Sequence, residues 1–145
     1  MDTKLKADIA ESAVATELLR RGYRVLKPVG DRLPYDLAID CNGQLIRIQV
    51  KCAWYDDSKK LYLADARRTK TNRRRMLRRR YDSQDFDFAI IYLEEEKVCY
   101  VMPFSVFDSY ASSISLVESA KRQRRPKSAS YRDRWDLLAS NWPSC

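Results

Sequence analysis

Residues 34–51 read PYDLAIDCNGQLIRIQVK, two alternating runs on either side of Asn42-Gly43, with Asp36, Gln49 and Lys51 at the outer ends of otherwise apolar strands. Asn-Gly between such runs is a strong hairpin signal, because both residues accept the positive φ of a type I′ turn. With Asn42 and Gly43 as the loop, Leu37 faces Ile48, Ile39 faces Ile46 and Tyr35 faces Val50, so one side of the hairpin is continuously apolar. The other side sets Asp36 opposite Gln49, with Cβ atoms roughly 5 Å apart, and Lys51 on the diagonal. An Asp–Lys pair on a solvated face would account for these residues taken alone, since antiparallel hairpins often have one polar side. The rest of the chain asks more of them.

Outward from the hairpin, residues 4–22 predict an amphipathic helix with Thr3 as N-cap and Gly22 as its stop. A short strand follows at 23–28, then turn residues at Gly30-Asp31 and Pro34. LYLADA (61–66) reads as a strand, FAIIYL (88–93) as a central strand covered on both faces, and KVCYVM (97–102) as its partner across Glu94-Glu95-Glu96. FSVFDSY (104–110) and YRDRWDLLAS (131–140) read as helices. The pattern predicts an α+β fold in a single domain, residues 1–145, with a central mixed sheet flanked by helices.

Lys and Arg number 28 against 20 Asp and Glu, a net charge of +8. Segment 67–80, RRTKTNRRRMLRRR, holds nine of those basic residues and no acid, which leaves −1 for the remainder. The charge is therefore a local device: Arg67, Arg68, Lys70, Arg73, Arg74, Arg75, Arg78, Arg79 and Arg80 form one basic arm. Lys121, Arg122, Arg124 and Arg125 form a second cluster, with Arg132 and Arg134 close behind. Such patches imply a polyanionic partner, with nucleic acid the leading candidate. The arm is expected to be structured, because it runs between two strands of what reads as one sheet.

There is no histidine, which excludes Ser-His-Asp and Cys-His catalysis and histidine general bases. Cys41, Cys52, Cys99 and Cys145 show no zinc spacing. With no apolar leader and no run of transmembrane length, a cytoplasmic protein with reduced thiols is the expectation, and no membrane partner. Any catalysis must use carboxylates, a lysine and a metal. Glu11 then stands out, because its helical neighbours Ala7, Val14, Ala15 and Leu18 place its carboxylate on the apolar stripe. A carboxylate there must be paired, neutralised or bound to a cation; a bridge to a lysine is the plain structural alternative. Glu11, Asp36, Gln49 and Lys51 together form the set a metal-dependent phosphodiesterase requires, with oxygen ligands for magnesium and a cation beside the scissile phosphate.

At these residues the sequence resembles the PD-(D/E)XK nuclease superfamily, with a restriction-endonuclease-like core. Pro34-Tyr35-Asp36 and Gln49-Val50-Lys51 match its two motifs, and Glu11 matches the helix carboxylate that many members add. GDRLPYDLAID, Asn-Gly and LIRIQVK are most similar to the cyanobacterial, tetrameric group I intron homing endonucleases. The resemblance implies hydrolysis of both DNA strands, leaving 5′-phosphate and 3′-hydroxyl ends. It makes Glu11, Asp36, Gln49 and Lys51 catalytic, the first three also holding one or two magnesium ions, and it implies a homotetramer. Two departures stand out: Tyr35 is inserted before Asp36, and Gln49 replaces an acid, which removes one negative charge. A Holliday-junction or repair nuclease would share these residues, and a non-catalytic nucleic-acid-binding module would share only the charge. Tyr131, Trp135, Leu137, Leu138 and Trp142 could make subunit contacts or dock on the chain's own core.

Overall fold

The computed structural model describes residues 2–71, 76–116 and 126–141. Helix α1 (Thr3–Arg20) is capped by Asp2, not Thr3: the Asp2 carboxylate accepts the Lys4 N–H at 3.0 Å. It stops where the sequence places its end. Gly22 has φ 87°, and the N–H groups of Gly22 and Tyr23 return to the carbonyls of Leu19 and Leu18, closing a Schellman motif. The buried stripe is Ala10, Val14 and Leu18, while Ala7 is exposed, so Glu11 lies at the edge of the stripe.

Five strands build the central sheet: β1 (Arg24–Leu26), β2 (Leu37–Cys41), β3 (Gln44–Cys52), β8 (Phe88–Leu93) and β9 (Val98–Pro103), numbered in chain order. Their spatial order is β1-β2-β3-β8-β9, with β3 and β8 parallel and every other pair antiparallel. The Asn42-Gly43 turn has φ 53° and 91°, and β2 pairs with β3 as read, Leu37 on Ile48 and Ile39 on Ile46. β8 is buried at all six residues, as its uninterrupted apolar run requires. Its alternate residues serve two cores. Phe88, Ile90 and Tyr92 pack with the α1 stripe and with Ile46, Ile48 and Val50; Ala89, Ile91 and Leu93 pack with Phe86, Phe107, Ile114 and Leu116 on the opposite face.

The long crossover from β3 to β8 carries elements the sequence hid. β4 (Trp54–Asp56), β5 (Leu61–Asp65) and β10 (Ser113–Leu116) form a second sheet in the order β10-β5-β4. β6 (Arg67–Thr71) and β7 (Met76–Arg80) pair only with each other, as a separate two-stranded ribbon. Residues 67–71 and 76–80 of the basic segment are thus paired strands, but the segment connects two different sheets, contrary to the expectation of one. Of the second half, α2 (Phe104–Phe107) is shorter than expected. So is α3 (Asp136–Asn141), which follows a 3-10 turn (Lys127–Tyr131), because Arg132 bridges to Tyr100 and the Asp133 N–H donates to Cys99 O at 2.8 Å. Trp135 and Leu138 are buried in the core beneath α1, and Tyr131 packs on the opposite core. Leu137 is partly buried against the core beneath α1, so these four side chains dock on the chain's own core, one of the two alternatives; Trp142 lies outside the described residues. Cys52 and Cys99 are free. No helix among the described residues is long and apolar enough to cross a membrane.

Candidate active site

The β2–β3 ladder ends at Leu37–Ile48, one residue short of Asp36. There the register slips: the Asp36 N–H donates to Ile48 O at 2.9 Å, and the Val50 N–H donates to the Asp36 carboxylate at 2.9 Å. The carboxylate takes the place of a main-chain acceptor, which fixes it against β3. A one-residue slip changes the face of what precedes it, so Tyr35 packs on the second core and does not face Val50. This overturns the paired Asp36–Gln49 geometry: Gln49 and Lys51 share the second-core face of β3, while Asp36 sits at the sheet margin.

From the other face comes Glu11. It lines a small polar cleft of about 260 Å³ with Lys27, Gly30, Asp31, Tyr35 and Asp36, and its carboxylate is 2.8 Å from the Lys27 ammonium. Burial raises the Asp36 pKa; the Val50 hydrogen bond opposes this, and the Glu11 charge adds to it. Lys27 is raised by its bond to Glu11. Two carboxylates lining one polar cleft, one of them paired with an exposed lysine, fit a hard divalent cation. Among the described residues no three acidic, cysteine or histidine side chains are placed to hold one metal ion together, so a cation bound by Glu11 and Asp36 would need neutral oxygens as well. Gln49, whose Nε2 lies 3.3 Å from Val50 O, is the adjacent amide, though it does not line the cleft. A larger cleft of about 560 Å³ between α1 and Trp135 contains neither Glu11 nor Asp36, so chemistry and not size selects the site.

Lys51 is partly buried on the other side of Asp36. Its ammonium donates to Arg67 O at 3.0 Å and lies 5.0 Å from the centre of the Tyr81 ring. Burial lowers its pKa to about 8, against the opposing charges of Asp65 and Asp36. Sequence reasoning did not single out Lys27, Asp65 or Tyr81. Asp65 had a usable signal, a carboxylate two residues before an N–H it can accept; nothing local marks the other two.

Of the arm, Arg67 and Arg80 are ion-paired, to Asp65 and Asp108 at 3.1 and 3.0 Å. They face each other across the ribbon, and so do Arg68 and Arg79. Lys70 and Arg78 have their main chain in the same ribbon. Arg73, Arg74, Arg75, Lys121, Arg122, Arg124 and Arg125 lie outside the described residues.

Comparison with known proteins identifies the family. The family model for PD-(D/E)XK endonuclease matches residues 1–138. Among solved structures, the chain is similar to a bacterial homing endonuclease, I-Ssp6803I, at 48% identity with a TM-score of 0.91, over 99% of this chain and 97% of that one. No curated protein matches. Nucleases of the matched family use divalent metal ions. With the family model matching residues 1–138 and the structural match running through nearly the whole sequence, the chain belongs to the PD-(D/E)XK endonuclease family.

Proposed function

We propose that the protein is a site-specific double-stranded DNA endonuclease of the homing type, hydrolysing phosphodiester bonds with magnesium. One observation carries the reading: Asp36, fixed by Val50, stands between Glu11 on one face of the sheet and a partly buried lysine of lowered pKa on the other. Glu11 and Asp36 would hold the cation, with the Gln49 amide oxygen as a neutral addition. Bound there, it supplies positive charge at the scissile phosphate and makes water a better nucleophile. Lys51, with its pKa lowered to about 8, would orient the attacking water and, in its free-amine form, take up the water's proton; the ammonium so formed steadies charge on the phosphoryl oxygens. Asp36 keeps its geometry through the main chain of β3, so it needs no reorganisation when substrate arrives.

The ribbon supports duplex DNA as the substrate. Like charges directly opposed across strands repel, and two consecutive Arg–Arg pairs at its foot favour nearby anions. Asp65 and Asp108 serve one pair; the phosphate backbone serves Arg68 and Arg79, and the arm's remaining basic residues extend the contact. The reading includes a homo-oligomer, a tetramer by resemblance, since so small a chain covers little DNA alone. Sedimentation as a monomer at micromolar concentration would remove that part.

Cleavage of a linear duplex carrying the target site, with and without magnesium, tests the whole. Discrete products that EDTA prevents, lost in Lys51→Ala and Asp36→Asn while DNA binding stays within a few-fold, are expected. Normal cleavage by Lys51→Ala overturns the site, and cutting confined to four-way junctions overturns the substrate. Replacing Arg68 and Arg79 by alanine should flatten the slope of log K against log salt by about 1.8 units; an unchanged slope would place the ribbon away from the backbone.

A further inference from the structure

We propose that Asp65 is a positioning residue for Lys51, acting through the main chain of Arg67. With Lys51 taken as the catalytic lysine, its flexible stem still has to be held against the rotamer freedom of a long side chain. The structure shows two contacts that do this, a carbonyl and a ring, and both come from the ribbon: Arg67 opens β6, and Tyr81 follows the last residue of β7. The Tyr81 ring is itself wedged edge-on against Phe86 at 5.0 Å and Phe107 at 5.9 Å, so that side is rigid. Arg67 has no such packing. It stands where the chain leaves the second sheet for a ribbon paired only with itself.

Asp65 supplies what is missing there. It ends β5, pinned opposite Ser113, and its Oδ1 accepts both the Arg67 N–H at 2.8 Å and Arg67 Nε at 3.1 Å. Two bonds from one oxygen fix the Arg67 residue, and with it the carbonyl that receives the Lys51 ammonium. The arrangement has a chemical advantage over a direct ion pair. A neutral carbonyl and a ring face aim the ammonium without neutralising it, leaving its charge for the phosphate.

Single-turnover cleavage by Asp65→Ala and Asp65→Asn, with Lys51→Ala as control, separates the possibilities. Asp65→Ala should slow bond breaking about 100-fold, the penalty of a misplaced catalytic group. DNA affinity in calcium and the melting temperature should stay near those of the native protein. Asparagine keeps an oxygen for the Arg67 N–H, so Asp65→Asn should recover to within a few-fold. A native rate in Asp65→Ala beside an inactive Lys51→Ala overturns the relay and leaves the active site standing. Asp65→Asn as slow as Asp65→Ala also overturns it, because the charge and not the hydrogen bond would then matter. So does a rate lost only together with affinity and melting temperature. Normal cleavage by Lys51→Ala would instead remove the site on which the relay rests.

Discussion

Two lysines flank Asp36, and their surroundings are opposite. Lys27 is exposed over 66% of its side chain and makes a direct 2.8 Å ion pair with Glu11, which raises its pKa. Lys51 is withdrawn from water, bonded to a carbonyl and a ring, and its pKa falls to about 8. The difference separates two tasks. An ion pair in water is screened and exchangeable, so Lys27 behaves as a counter-ion that a stronger cation can replace. A buried ammonium without a contacting carboxylate is held at a cost, which is the mark of a group kept for chemistry.

The largest test of this division falls on the acidic side. If Glu11 and Asp36 carry the only two charges offered to the metal, Glu11→Gln should cut magnesium-dependent cleavage by more than an order of magnitude. Gln49→Glu should be far milder and can tighten metal binding, and adding it to Glu11→Gln should return part of the activity. Cleavage rates of the two single mutants and the double mutant decide this. Native activity in Glu11→Gln would reduce that residue to the salt-bridge partner of Lys27 and dissolve the contrast between the two sides.

A smaller effect, on stability, tests the basic side. A lysine whose folded pKa lies near 8, below its usual 10.5, has lost proton affinity on folding. Between those values the unfolded chain binds more protons, so this group's contribution to stability rises with pH; below about 8 the burial penalty is fully present. Lys51→Met removes the penalty. Its stability relative to the native protein should therefore be most favourable at pH 7 and decline between about pH 8 and 10.5, by at most ~3 kcal/mol. Denaturant unfolding of both proteins at several pH values measures this. A difference that does not change with pH would mean that Lys51 is solvated like Lys27.

What the sequence revealed follows the same line between local and non-local causes. The hairpin, its register from Leu37 to Cys41, the Gly22 stop and the buried β8 are each set by residues within a few positions, and the structure has them as read. Glu11 was legible as a polar interruption of a helical stripe. The slip at Asp36 was not, because it depends on a side chain standing in for a main-chain acceptor. Tyr81 and Lys27 reach the site from segments joined to it only by the fold, and no spacing rule connects Lys51 with Tyr81, thirty residues on in the sequence. The second sheet was half seen: β5 reads as a strand, but β4 is three residues and β10 four, too short for a period to register.

The smallest expected effect concerns Lys27 itself. If its ammonium competes with metal for the Glu11 carboxylate, Lys27→Met should tighten calcium binding to the DNA-free protein, measured by calorimetry. The gain should be modest, at most about five-fold, because an exposed pair is weak. It should also shrink as salt rises past about 0.1 M, where the Debye length falls to roughly 10 Å and the competing charge is screened in the native protein as well. The combination is diagnostic, since removing a merely structural bridge between α1 and the loop after β1 would loosen the cleft and weaken calcium binding at every salt concentration. Weaker binding in Lys27→Met would therefore make this lysine a clamp on Glu11 rather than its exchangeable counter-ion, and the two lysines would differ in exposure but not in kind.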